Sequence, residues 1–256
     1  MTPQAIARQL RDLGVTEGAV LLVHTSFRAI RPVEGGPLGL IEALRLALGP
    51  RGTLAMPSWS GDEDNPFDPA MTASDADLGV TADVFWRQPG VLRSSHLHAF
   101  AAAGPHAAEI VSDPLPLPPH RYESPVGRIF DLDGYVLLLG VGHDADTTLH
   151  LAECLARVPY GVERHCTVTD QDGRPNRVAY RENDHCCARF ALAGDWLRER
   201  GLQREGPVGR AHARLARSRD IVAVAQEHLR RDPLIFLHPR EARCEECNEA
   251  RASAVG

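Results

Sequence analysis

Short apolar segments that alternate with amphipathic ones are the feature that most restricts the fold. The run AVLLVH (19–24) is bounded by turn residues and is typical of a strand buried on both faces. PLGLIEALRLALG (37–49) follows with leucines at helical spacing, proline at its start and glycine at its end. GYVLLLGVG (134–142) and the following DADTTLHLAECLARV repeat this order of strand, turn and helix. The order predicts an α/β fold with a mainly parallel central sheet flanked by helices.

The remaining segments extend this prediction toward both termini. Residues 3–13 predict an opening helix, 52–59 a second strand, and 100–111 a strand end that turns into a short helix. DPLPLPPH (113–120) is a predicted proline-rich connector. The Asp172-Gly173 pair predicts the turn of a late hairpin insertion. Two helices, FALAGDWLRERG and ARSRDIVAVAQEHLRRD, and a final strand, PLIFLH, are predicted after it.

Composition limits the class of protein. The 256 residues are 43% hydrophobic with no long linker, so we expect one domain, 1–256, with a cysteine-bearing tail, 238–256. The absence of a long apolar segment and of a signal-peptide pattern predicts a cytoplasmic protein without a membrane partner. A net charge of -6 argues against nucleic acid and favours a cationic ligand. A monomer or homodimer is expected.

Polar residues collect where the predicted strands end, which is where open α/β sheets bind ligands. The loop HTSFRAIRPVEGGP joins a strand end to a helix start. Its backbone N–H groups could hold a pyrophosphate, with Arg28 or Arg31 adding charge. The alternative is a glycine turn with solvated arginines.

An acidic loop follows the second strand. It comes directly after Trp59 and contains Asp62, Glu63, Asp64 and further carboxylates. It could form the rim of a pocket for a polycation, or it could be a solvated surface.

His150 lies on the helix after GYVLLLGVG. Thr147 and Glu153 share its helical face. Imidazole titrates near neutral pH, so a histidine beside a strand end is a natural general base for an ammonium or hydroxyl group. A structural histidine is the alternative.

Cysteines form the last candidate site. Cys244 and Cys247 have the C-x-x-C spacing that can bind one zinc ion, and two more ligands would complete a tetrahedron. His185 and Cys187 share one face of an extended segment, which would direct Cys186 away, and Cys166 is a substitute. The sequence thus predicts a structural zinc held by His185, Cys187, Cys244 and Cys247. Four unlinked buried thiols are the alternative.

Taken together, these segments resemble the aminoglycoside 3-N-acetyltransferase family, most closely its apramycin- and gentamicin-modifying type IV branch. The matching stretches are VLLVHTSFR, GPLGLIEAL, MPSWSG, DPLPLPPH, SPVGR, VLLLGVGHDADTTLHLAE, VPYGV, RHCT, ENDHCC, EGPVG, SRDIV and DPLIFLHP. The resemblance implies the antibiotic N-acetyltransferase fold, distinct from the GCN5-related fold. It also implies acetyl-CoA as the donor and the 3-amine of 2-deoxystreptamine as the acceptor.

The resemblance also implies the roles of individual residues. The catalytic histidine falls on His150, and we interpret Glu182 as the carboxylate that orients it. The expected donor-binding residues are His24, Thr25, Ser26, Phe27, Arg28, Arg31, Ser94, His96, Ser124, Val126 and Gly127. The expected acceptor-binding residues are Trp59, Glu63, Asp64, Glu153, Glu182 and Asp184. Leu97 stands where the family commonly has proline, which sets SSHLHAF apart from the family pattern.

The expected function is therefore direct acetyl transfer to aminoglycosides such as gentamicin, apramycin and tobramycin, which gives antibiotic resistance. His150 would be the general base, without a covalent acetyl-enzyme. Two other classes fit parts of the sequence. A metal-dependent hydrolase could use His143, His150 and Glu153 as ligands, and a zinc-binding interaction module could use the C-terminal cysteines alone.

Overall fold

A computed structural model describes residues 1–112, 115 and 117–254. Part of the predicted proline-rich connector and the last two residues of the tail lie outside this range. The described strands are β1 (Val20–Thr25), β2 (Thr53–Pro57), β3 (Leu92–Arg93), β4 (Phe100–Ala103), β5 (Tyr135–Leu139), β6 (Val162–Thr169), β7 (Pro175–Glu182), β8 (Gln203–Val208) and β9 (Ala211–Arg217). A seven-stranded sheet has the order β3-β4-β2-β1-β5-β9-β8.

Most strands of this sheet run in one direction. β1 pairs in parallel with β2 and with β5. β4 and β9 are antiparallel to β2 and β5, and β3 and β8 are antiparallel to β4 and β9. β3 and β8 therefore run in the direction of β1, β2 and β5, which makes five of the seven strands co-directional. The predicted mainly parallel α/β sheet is confirmed.

Helices cover both faces of the sheet. The described α-helices are α1 (Pro3–Leu13), α2 (Phe27–Ile30), α3 (Gly36–Leu48), α4 (Gly79–Trp86), α5 (Ala107–Val111), α6 (Pro125–Asp131), α7 (Thr147–Ala156), α8 (Ala191–Glu199), α9 (Ser218–Arg231) and α10 (Glu245–Ala252). Successive side chains of a strand point to opposite faces. Accordingly, Leu21 and Val23 pack in the same core as α1, α3 and α4, whereas Val20 and Leu22 pack in the core with α5 to α9. No helix among the described residues is long and apolar enough to cross a bilayer.

The late hairpin forms as predicted, because β6 and β7 pair antiparallel on either side of the Asp172-Gly173 turn. The two strands make a sheet of their own. Cys166 and Tyr180 of the hairpin form a small apolar cluster with Leu97, separate from the two main cores. The hairpin is therefore an addition to the seven-stranded sheet.

The C-terminal third corrects three predictions. The segment 233–238 forms turns rather than a final strand, because its buried Phe236 packs in the helical core instead of on the sheet. Residues 203–217, for which no strand was predicted, form the antiparallel strands β8 and β9. These two strands extend the sheet beyond β5. The tail, for which no helix or strand was predicted, contains α10, whose Cys247 and Ala250 are buried beside Tyr160 and Leu237.

Candidate active site

A cavity of about 450 Å³ opens at the carboxyl ends of β1, β2 and β5. Parallel strands present their carboxyl ends at the same edge of the sheet, so loops from distant parts of the chain meet there. The start of α7 and the end of β7 complete the wall. The residues that line the cavity include His24, Thr25, Trp59, Glu63, Asp75, Asp77, His98, His120, Asp144, Asp146, Thr147, His150, Glu182 and Cys187.

His150 lies on this wall, held by a carboxylate one helical turn away. The Asp146 carboxylate caps α7 by accepting the N–H of Thr148, which fixes the start of the helix at the cavity. The Nδ1–H of His150 donates to Glu153 at 2.9 Å. Glu153 is fully buried, while His150 keeps 19% of its side chain exposed. The Nε2 atom of His150 is therefore the ring nitrogen that can meet a ligand in the cavity.

The carboxylate of Glu153 is held in turn by two further donors. His185 donates its Nε2–H to Glu153 at 2.9 Å, and Tyr160 donates its hydroxyl. Burial alone would raise the pKa of Glu153, but the hydrogen bonds and charges of His150 and His185 hold it well below its usual value. Glu153 is therefore an anion at neutral pH, and it fixes both the orientation and the tautomer of His150.

Cys187 contacts the cavity-facing nitrogen of His150. Its Sγ lies 3.4 Å from His150 Nε2. Burial opposes protonation of His150, but the Cys187 sulfur and the Glu153 carboxylate together raise its pKa well above its ordinary value. His150 is thus a stronger base than a free imidazole, and it can accept a proton at Nε2 only in its neutral form.

The other imidazoles of the cavity differ from His150 in charge. Burial lowers the pKa of His24 to about 4 and that of His98 to about 3, and it lowers the pKa of His120 well below its ordinary value. The ring of His120 stacks on that of His150 with centroids 5.3 Å apart. These three rings are neutral at physiological pH, so His150 differs from them in being able to carry a positive charge there.

Carboxylates dominate the charge of the cavity. Glu63, Asp75, Asp77, Asp144 and Glu182 reach it from the acidic loop, the α7 approach and β7. Burial and the nearby Asp184 raise the pKa of Glu182 to about 7, because no cation in the described residues fully compensates its charge. A cationic ligand would supply that compensation.

The predicted acceptor-binding residues separate into two groups. Trp59, Glu63 and Glu182 line the cavity. Asp64 instead bonds His165 at 3.1 Å, and Asp184 pairs with Arg164. Glu153 contacts His150 and does not line the cavity. The orienting role predicted for Glu182 therefore belongs to Glu153, since the i, i+3 spacing on α7 places that carboxylate against the imidazole.

The predicted donor-binding residues also fall into two groups, one at or near the cavity and one in buried or structural positions. His24 and Thr25 line the cavity, Ser26 and Phe27 begin α2, and Arg28 and Arg31 are exposed nearby in the chain. Four others have a structural role: Ser94 bonds Phe100, Ser124 caps α6, Val126 is fully buried, and a side chain at Gly127 would collide with the Tyr122 carbonyl. His96 is buried as well. The donor-binding role of these five residues stays a prediction.

The four predicted zinc ligands do not come together. His185 and Cys187 cluster with His150, whereas Cys244 and Cys247 cluster with Cys186. The correction arises because Cys187 has a left-handed backbone (φ 57°), which breaks the extended geometry assumed for that segment. The ligand set of a hydrolase is also not assembled, since the buried His143 contacts Asp146 and Gln203 instead.

Several residues of the site were assigned other roles or none from the sequence. Tyr160 and His120 carry no local signal, because they reach His150 and Glu153 only through tertiary packing. His185 and Cys187 appeared as metal ligands. Glu153 had a usable signal, its position one turn after His150 on the same helical face.

Comparison with known proteins identifies the family. Residues 22–230 match the family model described as aminoglycoside 3-N-acetyltransferase. The chain is 70% identical over 233 residues to aminoglycoside N(3)-acetyltransferase IV of Salmonella sp, covering 91% of this chain and 89% of that protein. It is 31% identical over 258 residues to aminoglycoside N(3)-acetyltransferase VII of Streptomyces paromomycinus, covering 87% and 89%.

Solved structures agree with the sequence comparisons. Apo aminoglycoside acetyltransferase AAC(3)-IVa superposes with a TM-score of 0.96 at 67% identity, covering 98% of this chain and 97% of that one. A histidine-to-alanine variant of that enzyme, in complex with apramycin, has a TM-score of 0.91 at 64% identity, with 96% and 98% covered. AAC-IIIb with CoASH has a TM-score of 0.83 at 26% identity, with 90% and 97% covered.

Proposed function

The chain belongs to the aminoglycoside 3-N-acetyltransferase family and is an acyltransferase, and from this premise we propose that it transfers acetyl from acetyl-CoA to the 3-amine of 2-deoxystreptamine. Its acceptors are aminoglycosides such as gentamicin, apramycin and tobramycin. Acetylation removes a positive charge from the antibiotic and so gives resistance. Acetyl-CoA is a cytoplasmic metabolite, which makes the cytoplasm the proposed location.

One observation carries the proposal. A buried carboxylate holds an imidazole at 2.9 Å, and the free nitrogen of that imidazole faces a cavity lined by carboxylates. The carboxylates match an acceptor with several ammonium groups. The imidazole matches the chemical need of such an acceptor, because an ammonium nitrogen must lose a proton before it can attack a carbonyl carbon.

The proposed reaction is a direct transfer. His150 Nε2 removes a proton from the acceptor ammonium, and the amine nitrogen attacks the thioester carbonyl. The tetrahedral adduct collapses to an amide as the C–S bond breaks. The amide nitrogen loses its second proton, and the departing sulfur is protonated to CoA thiol. Glu153 stabilises the imidazolium formed in the first step. Proton removal contributes about 10²–10⁴ to the rate, and the alignment of two substrates adds a comparable factor.

Cys187 gives the direct mechanism a definite competitor, since its sulfur lies 3.4 Å from the base. In a two-step route this sulfur would carry the acetyl group. Under direct transfer, Cys187→Ser keeps substantial turnover, and intact-mass spectrometry of the enzyme with acetyl-CoA alone finds no added acetyl group. An acetyl group trapped on Cys187 would contradict direct transfer while leaving the overall reaction in place.

The test of the function is the product itself. Incubation with acetyl-CoA and gentamicin or apramycin should add one acetyl group to the antibiotic, and NMR should locate it on the 3-amine. Acetylation of a different amine would overturn the regiospecificity, and an unmodified antibiotic would overturn the proposed function.

The zinc predicted from the C-terminal cysteines also stays a proposal, with no part in the transfer step.

A further inference from the structure

Three cysteine sulfurs meet at the junction of two segments outside the cavity. Cys186 belongs to the loop after β7, and Cys244 and Cys247 flank the start of α10. The three sulfurs all lie within 4.8 Å of one another, and Cys186 Sγ is 3.5 Å from Cys247 Sγ. None is in a disulfide. Three thiols thus converge from chain positions about sixty residues apart, and thiolates grouped in this way are the ligands that structural zinc prefers.

Two of the three sulfurs belong to the start of α10. Cys244 is the N-cap residue of that helix, and Cys247 lies in its first turn. The backbone N–H groups at a helix start carry partial positive charge, which favours negatively charged groups such as thiolates.

We propose that Cys186, Cys244 and Cys247 bind one zinc ion, with water in the fourth position. Zinc–sulfur bonds of about 2.3 Å in a tetrahedron place ligand sulfurs about 3.8 Å apart. Cys186 Sγ and Cys247 Sγ are 3.5 Å apart and no pair of the three exceeds 4.8 Å, so a bound zinc would require only a small adjustment of the side chains. Among the described residues, no further His, Cys, Asp or Glu joins the group. Three thiolates and one exchangeable ligand are therefore the coordination set.

The neighbouring cluster of His150, His185 and Cys187 is a poorer zinc site. His185 uses Nε2 for Glu153 and accepts the Cys187 N–H at Nδ1, so both of its nitrogens are occupied. His150 uses Nδ1 for Glu153. A metal there would require these buried hydrogen bonds to break, whereas the three-sulfur cluster has no competing ion pair.

Binding at the three sulfurs would fasten α10 to the segment that supports the base. Cys186 lies between His185 and Cys187, the two residues of that segment that contact Glu153 and His150. The zinc would thus hold this segment in place from the side opposite the cavity. This consequence for catalysis rests on the proposed function, but the metal site itself does not.

Metal content and thermal stability test the site directly. Protein purified without added metal should contain close to one zinc per chain. Cys186→Ser and Cys244→Ser should each lose the zinc and melt several degrees lower, and a chelator should lower the melting temperature of the wild type similarly. Cys154→Ser is the matched control, since Cys154 belongs to neither cluster, and it should keep the zinc.

Thiol labelling covers the case in which the variants fail to fold. Zinc added to metal-free wild type should protect three thiols from alkylation, and mass spectrometry should identify them as Cys186, Cys244 and Cys247. Protection of Cys187 instead, zinc retained by Cys244→Ser, or a wild type that takes up no zinc would overturn the site. If zinc behaves as expected but no antibiotic is acetylated, the metal site stands and the proposed function falls.

Discussion

At the scale of the residue, His150 differs from an ordinary surface histidine because the carboxylate that it contacts, Glu153, is buried. His106 and Glu109 form the same i, i+3 contact at 3.1 Å, but both side chains are about half exposed. In water such a pair contributes little, because solvent screens the charges and competes for the hydrogen bond. Around His150 the carboxylate is fully buried and accepts three donors, so the imidazole is held in one orientation.

His150→Ala should lower turnover by about 10² or more while acetyl-CoA binding and the melting temperature stay nearly unchanged, as expected for loss of a general base. Steady-state kinetics and donor titration measure the two effects. His106→Ala is the matched control and should retain full turnover. Near-normal turnover in His150→Ala would remove the residue from the mechanism.

Glu153→Gln separates the charge of the carboxylate from its position. The Glu153 anion and the Cys187 sulfur raise the pKa of His150, so removal of the anion should lower that pKa. More of the unprotonated base is then present at low pH. The acid limb of the kcat/KM profile should therefore move to lower pH, while the plateau falls by roughly tenfold or more because the imidazole is less well oriented. An unmoved acid limb with an unchanged melting temperature would show that Glu153 does not set the pKa of the base.

At the scale of the element, the strand-turn-helix unit of β5 and α7 could be predicted from the sequence, together with His150 and Glu153 on one face. Apolar runs, glycines and caps act within a few residues, so local pattern suffices there. The contacts of Cys187 and His120 with His150 span distant positions and depend on how the loops pack. The antiparallel β8 and β9 were missed because their short alternation carries a weaker signal than a long apolar run.

The hairpin of β6 and β7 supplies a second prediction at this scale. His165 on β6 bonds Asp64 at 3.1 Å and lies 3.7 Å from Glu63, which ties the acidic loop to the hairpin. His165→Ala should loosen the loop and raise the acceptor KM by up to about fivefold, since exposed pairs are worth up to about 1 kcal/mol. The donor KM should stay constant. His212→Ala, which breaks an exposed 3.1 Å contact with Glu205 on β8, is the control, and an equal effect in both variants would contradict a specific role.

At the scale of the whole molecule, charge distinguishes the two substrates. The chain carries a net charge of -6 and its cavity is lined by carboxylates. An aminoglycoside is a polycation and acetyl-CoA is a polyanion, so salt should act on them with opposite sign. We expect kcat/KM for the antibiotic to fall several-fold between low and physiological salt, while kcat/KM for acetyl-CoA stays constant or rises. A parallel fall for both substrates would indicate general destabilisation instead.

The separate two-stranded sheet has a consequence for how such an enzyme can diversify. Glu182 and His165 stand on a hairpin that shares no strand pairing with the seven-stranded sheet, whereas His150 and Glu153 stand on a helix packed in the core. Exchanges at the exposed positions of the hairpin can reshape this wall of the cavity while α7 keeps its packing in the core. Selectivity for the proposed acceptor can therefore change with little effect on the helix that carries the proposed base.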